Sequence, residues 1–164
     1  MSRQRQKWEL TLERDFEGIV PLHPWRWESP SSEDIPSLTT LLLKSYAGSV
    51  DDEGEGEAEA LAALQEYLER EDFPARTDLS MVIWFRDEPV AACLVSDTQE
   101  KEALISYIFV HPTWKGKTLG RGLLLSVLAK VKDAGVQKAV AWITKENEPS
   151  ERLFTSQGFV PAQP

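Results

Sequence analysis

Residues 103–134 read Ala-Leu-Ile-Ser-Tyr-Ile-Phe-Val, then His-Pro-Thr-Trp-Lys-Gly-Lys-Thr-Leu-Gly-Arg-Gly, then Leu-Leu-Leu-Ser-Val-Leu-Ala-Lys-Val-Lys-Asp-Ala. Ala103 to Val110 is an apolar, β-branched and aromatic run of strand length. Pro112 stops it, because proline has no N–H for a sheet ladder. Beyond Leu119 the period changes: Leu124, Val127, Leu128 and Val131 share one helical face. Gly135 follows as a helix C-cap. The stretch therefore reads as strand, glycine-containing loop, helix.

A loop of small residues before a helix turns backbone N–H groups inward, and the helix start adds the positive end of its dipole. Phosphate suits such a place. Residues 103–132 contain no Asp or Glu but carry Lys115, Lys117, Arg121, Lys130 and Lys132, in a chain of net charge −9. An ordinary strand–helix unit with a solvated basic helix start reads the same way. Gly116-Lys117-Thr118 also matches the end of a P-loop, but His111 stands where that motif opens with Gly. Only 46 residues follow Thr118, too few for the remaining nucleotide-binding sheet.

The same stretch resembles the acetyl-CoA-binding motif of the GNAT superfamily of N-acetyltransferases. There a strand ending in V-x-P leads to Arg or Gln, two residues, Gly, one residue, and Gly or Ala, then a helix. Val110-His111-Pro112 matches the strand end, and Lys115 to Gly120 occupies the loop. Lys115 replaces Arg or Gln, keeping charge but losing the planar fork. Thr118 replaces the first Gly; a threonine is expected to avoid φ > 0 and to serve as an N-cap beside a pyrophosphate. A second motif follows at the family's spacing: Asn147, Ser150, Leu153, Phe154, Gly158 and Phe159. The resemblance covers about residues 79–160. It implies acetyl-CoA as cosubstrate, contacted by Ile108, Phe109, Val110, Lys115, Gly116, Lys117, Thr118, Leu119, Gly120, Arg121, Asn147 and Phe154. The backbone of Phe109 and Val110 is expected to hold the acetyl carbonyl oxygen.

Length bounds the rest. A chain of 164 residues with 41% hydrophobic and 27% charged residues is expected to be one domain over 1–164. The lone Cys93 excludes an internal disulfide framework and a cysteine-rich zinc site, and reads as a small buried hydrophobe; no metal is expected. The net charge argues against nucleic acid and anionic membranes. Without an apolar run of membrane length or a signal peptide, a cytoplasmic location is expected.

Residues 1–7 read as frayed, Trp8–Leu12 as a short strand, and 15–31, with Pro21, Pro24, Pro30, Trp25 and Trp27, as an irregular segment packed by its tryptophans. Ser32-Glu33-Asp34 opens a helix that carries Ile35, Leu38, Leu41 or Leu42, and Tyr46 inward and ends at Gly48. A second helix spans about 57–70 with Leu61, Leu64, Tyr67 and Leu68 inward. Residues 79–86 and 90–96 flank a turn at Asp87-Glu88-Pro89 and form a meander with 103–110. A strand over 137–144, reached through a helix, lies parallel to 103–110. A short helix over 149–157 ends at Gly158. The fold class is α/β (α+β): a GNAT-like, mixed and mostly antiparallel sheet with helices on both faces, two N-terminal helices and a shortened C-terminal strand region. The exposed edge beside 137–144 is left short, or another segment or subunit covers it. A homodimer is one such arrangement.

Residues 51–72 hold ten Asp or Glu and one Arg. A solvated acidic face accounts for this pattern, and so does a loop that draws in a cationic amine. The resemblance puts the loop between the first two helices on the acceptor side, so Tyr46 and Asp51 are expected at the substrate, and Asp52, Glu53 and Tyr107 in the chemistry. The family's usual acid, a tyrosine, is Phe154 here, and the strand 103–110 carries no carboxylate to act as base. The implied reaction is transfer of acetyl to a primary amine, of a small molecule or a peptide, by direct attack in a ternary complex. The alternative is a non-catalytic CoA-binding or regulatory module of the same fold.

Overall fold

The computed structural model describes residues 3–49, 51–116 and 118–163. In chain order these form β1 (Arg5–Thr11), β2 (Trp25–Glu28), α1 (Ile35–Tyr46), α2 (Glu57–Glu69), β3 (Met81–Phe85), β4 (Glu88–Asp97), β5 (Ala103–Val110), α3 (Leu119–Asp133), β6 (Lys138–Thr144), α4 (Glu148–Ser156) and β7 (Val160–Pro161). The strands make one sheet in the order β2-β3-β4-β5-β6-β1-β7. Every adjacent pair is antiparallel except β5 and β6, joined through α3. This is the mixed, mostly antiparallel architecture expected from the sequence.

The sheet is packed on both faces. Val90 to Ser96 of β4 are all buried, as befits a central strand. On one face Leu123, Leu124, Val127, Leu128 and Val131 of α3 meet Ile83, Cys93, Val95, Ile105 and Ala141. On the other, Leu38, Leu41 and Leu42 of α1 and Leu64 and Tyr67 of α2 meet Val82, Ala92, Leu94 and Phe109. The inward faces of both helices are those the period marked, with Ala60 added to α2. The meander turn falls earlier than expected: Arg86, at φ 57°, makes it, and Glu88 and Pro89 already belong to β4.

Two expectations for the N-terminal part are corrected. Arg5, Gln6 and Lys7 are not frayed; they start β1, which pairs with the whole of β6 from Arg5↔Thr144 to Thr11↔Lys138. The segment 15–31 is not wholly irregular, because Trp25–Glu28 pairs antiparallel with β3. Trp25 does pack as expected, its ring 4.8 Å from that of Phe85 and 4.9 Å from that of Trp114. The open edge of β6 is therefore covered by the chain's own first strand, and the two-residue β7 adds to β1 instead. Among the described residues, no helix is long and apolar enough to cross a membrane.

The parallel pair is short. Ala103, Leu104 and Ile105 pair with Ala139, Val140 and Ala141, and there the ladder stops. On the other side of β5 the register with β4 jumps from Leu94↔Tyr107 to Val95↔Ile105, leaving Ser106 as an extra residue. A bulge bends its strand and ends pairing locally. The second half of β5 thus leaves β6, and the sheet opens into a wedge.

Candidate active site

The open edge of β5 supplies donors. The N–H of His111 donates to Val90 O (2.8 Å), so N–H groups alternate along the strand and that of Val110 faces the wedge. It donates to Ser45 Oγ at 3.2 Å. By the same alternation the N–H of Ile108 faces the wedge and that of Phe109 faces β4. Of the expected pair, Val110 turns its N–H to the wedge and Phe109 does not; Ile108 does so in its place. The Phe109 side chain is buried under α1.

Next to the wedge, Pro112–Trp114 makes one tight turn, and the chain then enters α3 through two left-handed residues, Gly116 (φ 77°) and Thr118 (φ 62°, ψ 8°). Thr118 is the N-cap residue as expected, yet it adopts the positive φ expected to exclude it. The turn into α3 imposes the conformation of the glycine that Thr118 replaces, against a steric preference of roughly 1–2 kcal/mol. Gly120 lies in the first turn; a Cβ there would stand 3.5 Å from Val110 Cγ2 and 3.9 Å from Leu153. The start of α3 therefore sits hard against the end of β5 and against α4. Its first N–H groups have no carbonyl a turn earlier to accept them, the usual basis of a phosphate site.

The basic residues of the loop separate. Lys115, expected at the phosphates, turns back and donates from Nζ to Ser45 O (2.7 Å) at the C-terminal end of α1. Burial pulls its pKa down. Arg121 is exposed on the first turn of α3, and Leu119 packs against the core. Lys117 lies outside the described residues.

A cavity of about 550 Å³ opens where the wedge meets α1, α2 and their connecting loop. Tyr46, Asp51, Glu53, Tyr107, Ile108, Asn147 and Phe154 all line it, so the structure gathers both substrate candidates, two of the three catalytic candidates and three of the cofactor candidates in one place. Asp51 spans it: one carboxylate oxygen accepts from Thr144 Oγ1 (2.7 Å), the other from Asn147 Nδ2 (2.9 Å). Asn147 in turn caps α4, its Oδ1 accepting from Ser150 N at 3.2 Å. With its amide committed at both ends, Asn147 acts first as a brace between loop and helix.

Asp52 is corrected. Its carboxylate accepts from the N–H groups of Gly48 and Gly54, each at 2.9 Å, which hold its pKa below the ordinary value. It fixes the loop and is not part of the cavity wall, whereas Glu53 is. Burial raises the pKa of Tyr46, with Asp51 adding to the effect, and burial likewise raises that of Tyr107. Both phenols therefore stay protonated at neutral pH and have a proton to give. Phe154 is buried, its ring 5.0 Å from that of Phe159 at 86°, and offers the cavity an apolar edge.

Ser45, Arg5 and Trp142 also belong to this region and were not singled out from the sequence. The signal for Ser45 was present: a hydroxyl on the apolar face of α1, four residues after Leu41. Arg5 and Trp142 carried no local signal, because a strand pairing brings them there.

A model of the Acetyltransferase (GNAT) family matches residues 35–159. The L-amino acid N-acyltransferase of Escherichia coli is 42% identical over 53 residues, 32% of this chain and 31% of that protein. Among solved structures, a GCN5-related N-acetyltransferase from Sphaerobacter thermophilus superposes with a TM-score of 0.73 at 14% identity, covering 98% of this chain and 50% of that one. An N-acetyltransferase from Thermoplasma acidophilum in complex with coenzyme A superposes with a TM-score of 0.61 at 16% identity, over 82% of this chain and 88% of that one. The match to the Escherichia coli protein spans about a third of its length, and that to the Sphaerobacter protein about half.

Proposed function

The chain belongs to the GNAT acetyltransferase family, and from that premise we propose that it is a single-domain enzyme moving an acetyl group from acetyl-CoA to an amine by direct attack in a ternary complex. The observation that carries this is the wedge: β5 parts from β6 after Ile105, leaving the N–H groups of Ile108 and Val110 unladdered beside the N-terminus of α3. The surroundings fit the cosubstrate. The left-handed Gly116 and Thr118 turn the chain into α3, and the Cβ-free Gly120 lets its first turn lie close beside the end of β5, which brings the helix N-terminus to the wedge for a pyrophosphate. The gap between β5 and β6 suits an extended amide-containing arm, which pairs with a strand edge as another strand does.

In this reading the transfer breaks the thioester C–S bond and forms a C–N bond. The N–H groups of Ile108 and Val110 stabilise charge on the carbonyl oxygen in a preorganised site. Positioning the two reactants together supplies much of the remaining barrier reduction. The amine gives up one proton, for which we assign Glu53, one of the carboxylates in the cavity wall. The departing thiolate takes a proton from Tyr107 or Tyr46, the protonated phenols of the cavity, since Phe154 has none.

Phe154 is also what favours a second reading, a CoA-binding module without turnover. Two measurements separate the readings. Calorimetric titration with acetyl-CoA and with CoA at two salt concentrations is expected to give salt-sensitive micromolar binding, abolished by Gly120→Glu. Release of free thiol with a panel of amines then marks an enzyme. Binding without thiol release from any amine would select the second reading, and no binding by folded protein would end both.

A further inference from the structure

The acceptor's chemistry can be argued from the strand that closes the sheet. Arg5 opens β1 directly opposite Thr144 of β6. Directly opposed residues of an antiparallel pair project from the same face. Thr144 reaches Asp51 on the loop between α1 and α2, so Arg5 points to that side too, and its side chain lines the cavity. The cavity wall has a second guanidinium, Arg70, but Asp72 holds it in a bidentate pair at 2.9 and 2.7 Å. The Arg5 side chain makes no ion pair or hydrogen bond with any described residue, although Asp51, Glu53, Glu55 and Glu59 line the same cavity. The cavity therefore offers one guanidinium with no ion-pair partner among the described residues beside the carboxylates of Asp51, Glu53, Glu55 and Glu59. Trp142, 55% exposed and on the same face of β6 as Thr144, adds an apolar wall between them and solvent.

We infer that the acceptor is an amine that also carries a carboxylate, and that Arg5 selects it by receiving that carboxylate. The inference rests on the acetyl-transfer reading for the identity of the site. An arginine fork matches a carboxylate in geometry and charge, whereas a polycationic amine would gain nothing from it and would be repelled. The carboxylates of the cavity wall take the amine end. Arg5 lies outside residues 35–159, the stretch matched by the family model, on the strand β1 that pairs with β6.

The test uses the whole chain saturated with CoA. It is titrated with L-amino acids, dipeptides and ω-amino acids, each beside its carboxamide, and with spermidine. At least one acid is expected to bind about ten- to a hundredfold more tightly than its amide, the value of a charge-assisted bidentate contact. Arg5→Gln is expected to erase that preference, and Arg5→Lys to restore part of it, with CoA affinity and unfolding midpoint unchanged. No acid outbinding its amide would overturn the inference. So would an Arg5→Gln effect equal on acid and amide, or one that falls on CoA instead. Thiol release is measured in parallel. Acids that bind but release no thiol would refute acetyl transfer and leave carboxylate selection standing; turnover of amides or spermidine alone would do the reverse.

Discussion

The backbone N–H of Val110 donates to Ser45 Oγ across 3.2 Å, joining the free edge of β5 to the last turn of α1. That N–H is one of the two proposed to hold the acetyl carbonyl, so the hydroxyl competes for it. Ser45→Ala is expected to cost about 1 kcal/mol of stability, the usual value of one lost hydrogen bond. It should also tighten acetyl-CoA several-fold relative to CoA, because the donor is released. Paired titrations with the two ligands check this; an unchanged ratio would mean that the acetyl oxygen does not use Val110.

Thr118 sits at φ 62° without the freedom of glycine. Thr118→Gly is expected to raise stability by about 1 kcal/mol, the left-handed penalty less the extra entropy of an unfolded glycine. For a chain of this size the unfolding midpoint should rise by roughly 2–4 °C. A fall instead would show that the threonine side chain's own contacts outweigh the strain.

Asp51 accepts from both Thr144 and Asn147. Asp51→Ala leaves those two donors without their acceptor and is expected to cost roughly 1–3 kcal/mol. Asn147→Ala alone removes one of the two bonds and the α4 cap. The double variant should fall short of the sum by about 1 kcal/mol, since the residues share a bond. Denaturation of all four proteins measures the coupling; strict additivity would mean the brace carries no energy.

Tyr67 donates its hydroxyl to the carbonyl of Val95 and lies 3.1 Å from Ser80 Oγ. Burial pushes its phenol from 10.0 up to about 12. The fold favours the neutral form, so this contribution is complete below pH 10.0 and is lost as pH rises through about 12. The loss across that window is on the order of 2–3 kcal/mol. Urea unfolding at about pH 8 and about pH 11 should show roughly half of that loss, and Tyr67→Phe should flatten the slope while lowering stability at about pH 8.

The parts legible in the sequence were those whose signal is local. The change from strand to helix period across residues 103–134 marked β5, its loop and α3 without reference to any partner. The apolar spacing of α1 and α2 did the same. Of β1 only the part from Trp8 was legible, and β2 was not, because what makes Arg5–Lys7 and Trp25–Glu28 strands is a partner far along the chain. Within the acidic loop, Asp51, Asp52 and Glu53 are neighbours of one chemical kind. Only the loop's backbone separates them, turning Asp52 to Gly48 and Gly54, Asp51 to β6 and α4, and Glu53 to the cavity. For Thr118 residue type pointed one way and the turn geometry another, and the turn prevailed.

The pairing of β1 with β6 joins two strands between which both N-terminal helices, the meander and α3 must be made. A contact so distant in sequence is entropically slow to form, because a long loop has to close first. On the ribosome, Arg5 to Thr11 emerges long before Lys138 to Thr144 exists to receive it. The nascent chain can assemble the β3–β4–β5 meander with α1, α2 and α3, yet the outer wall of the wedge waits for β6 to be made. The pocket is thus acquired after the centre of the sheet, and a chain truncated before β6 would lose the cavity's β6 wall together with Ala139, Ala141 and Ile143 of the core.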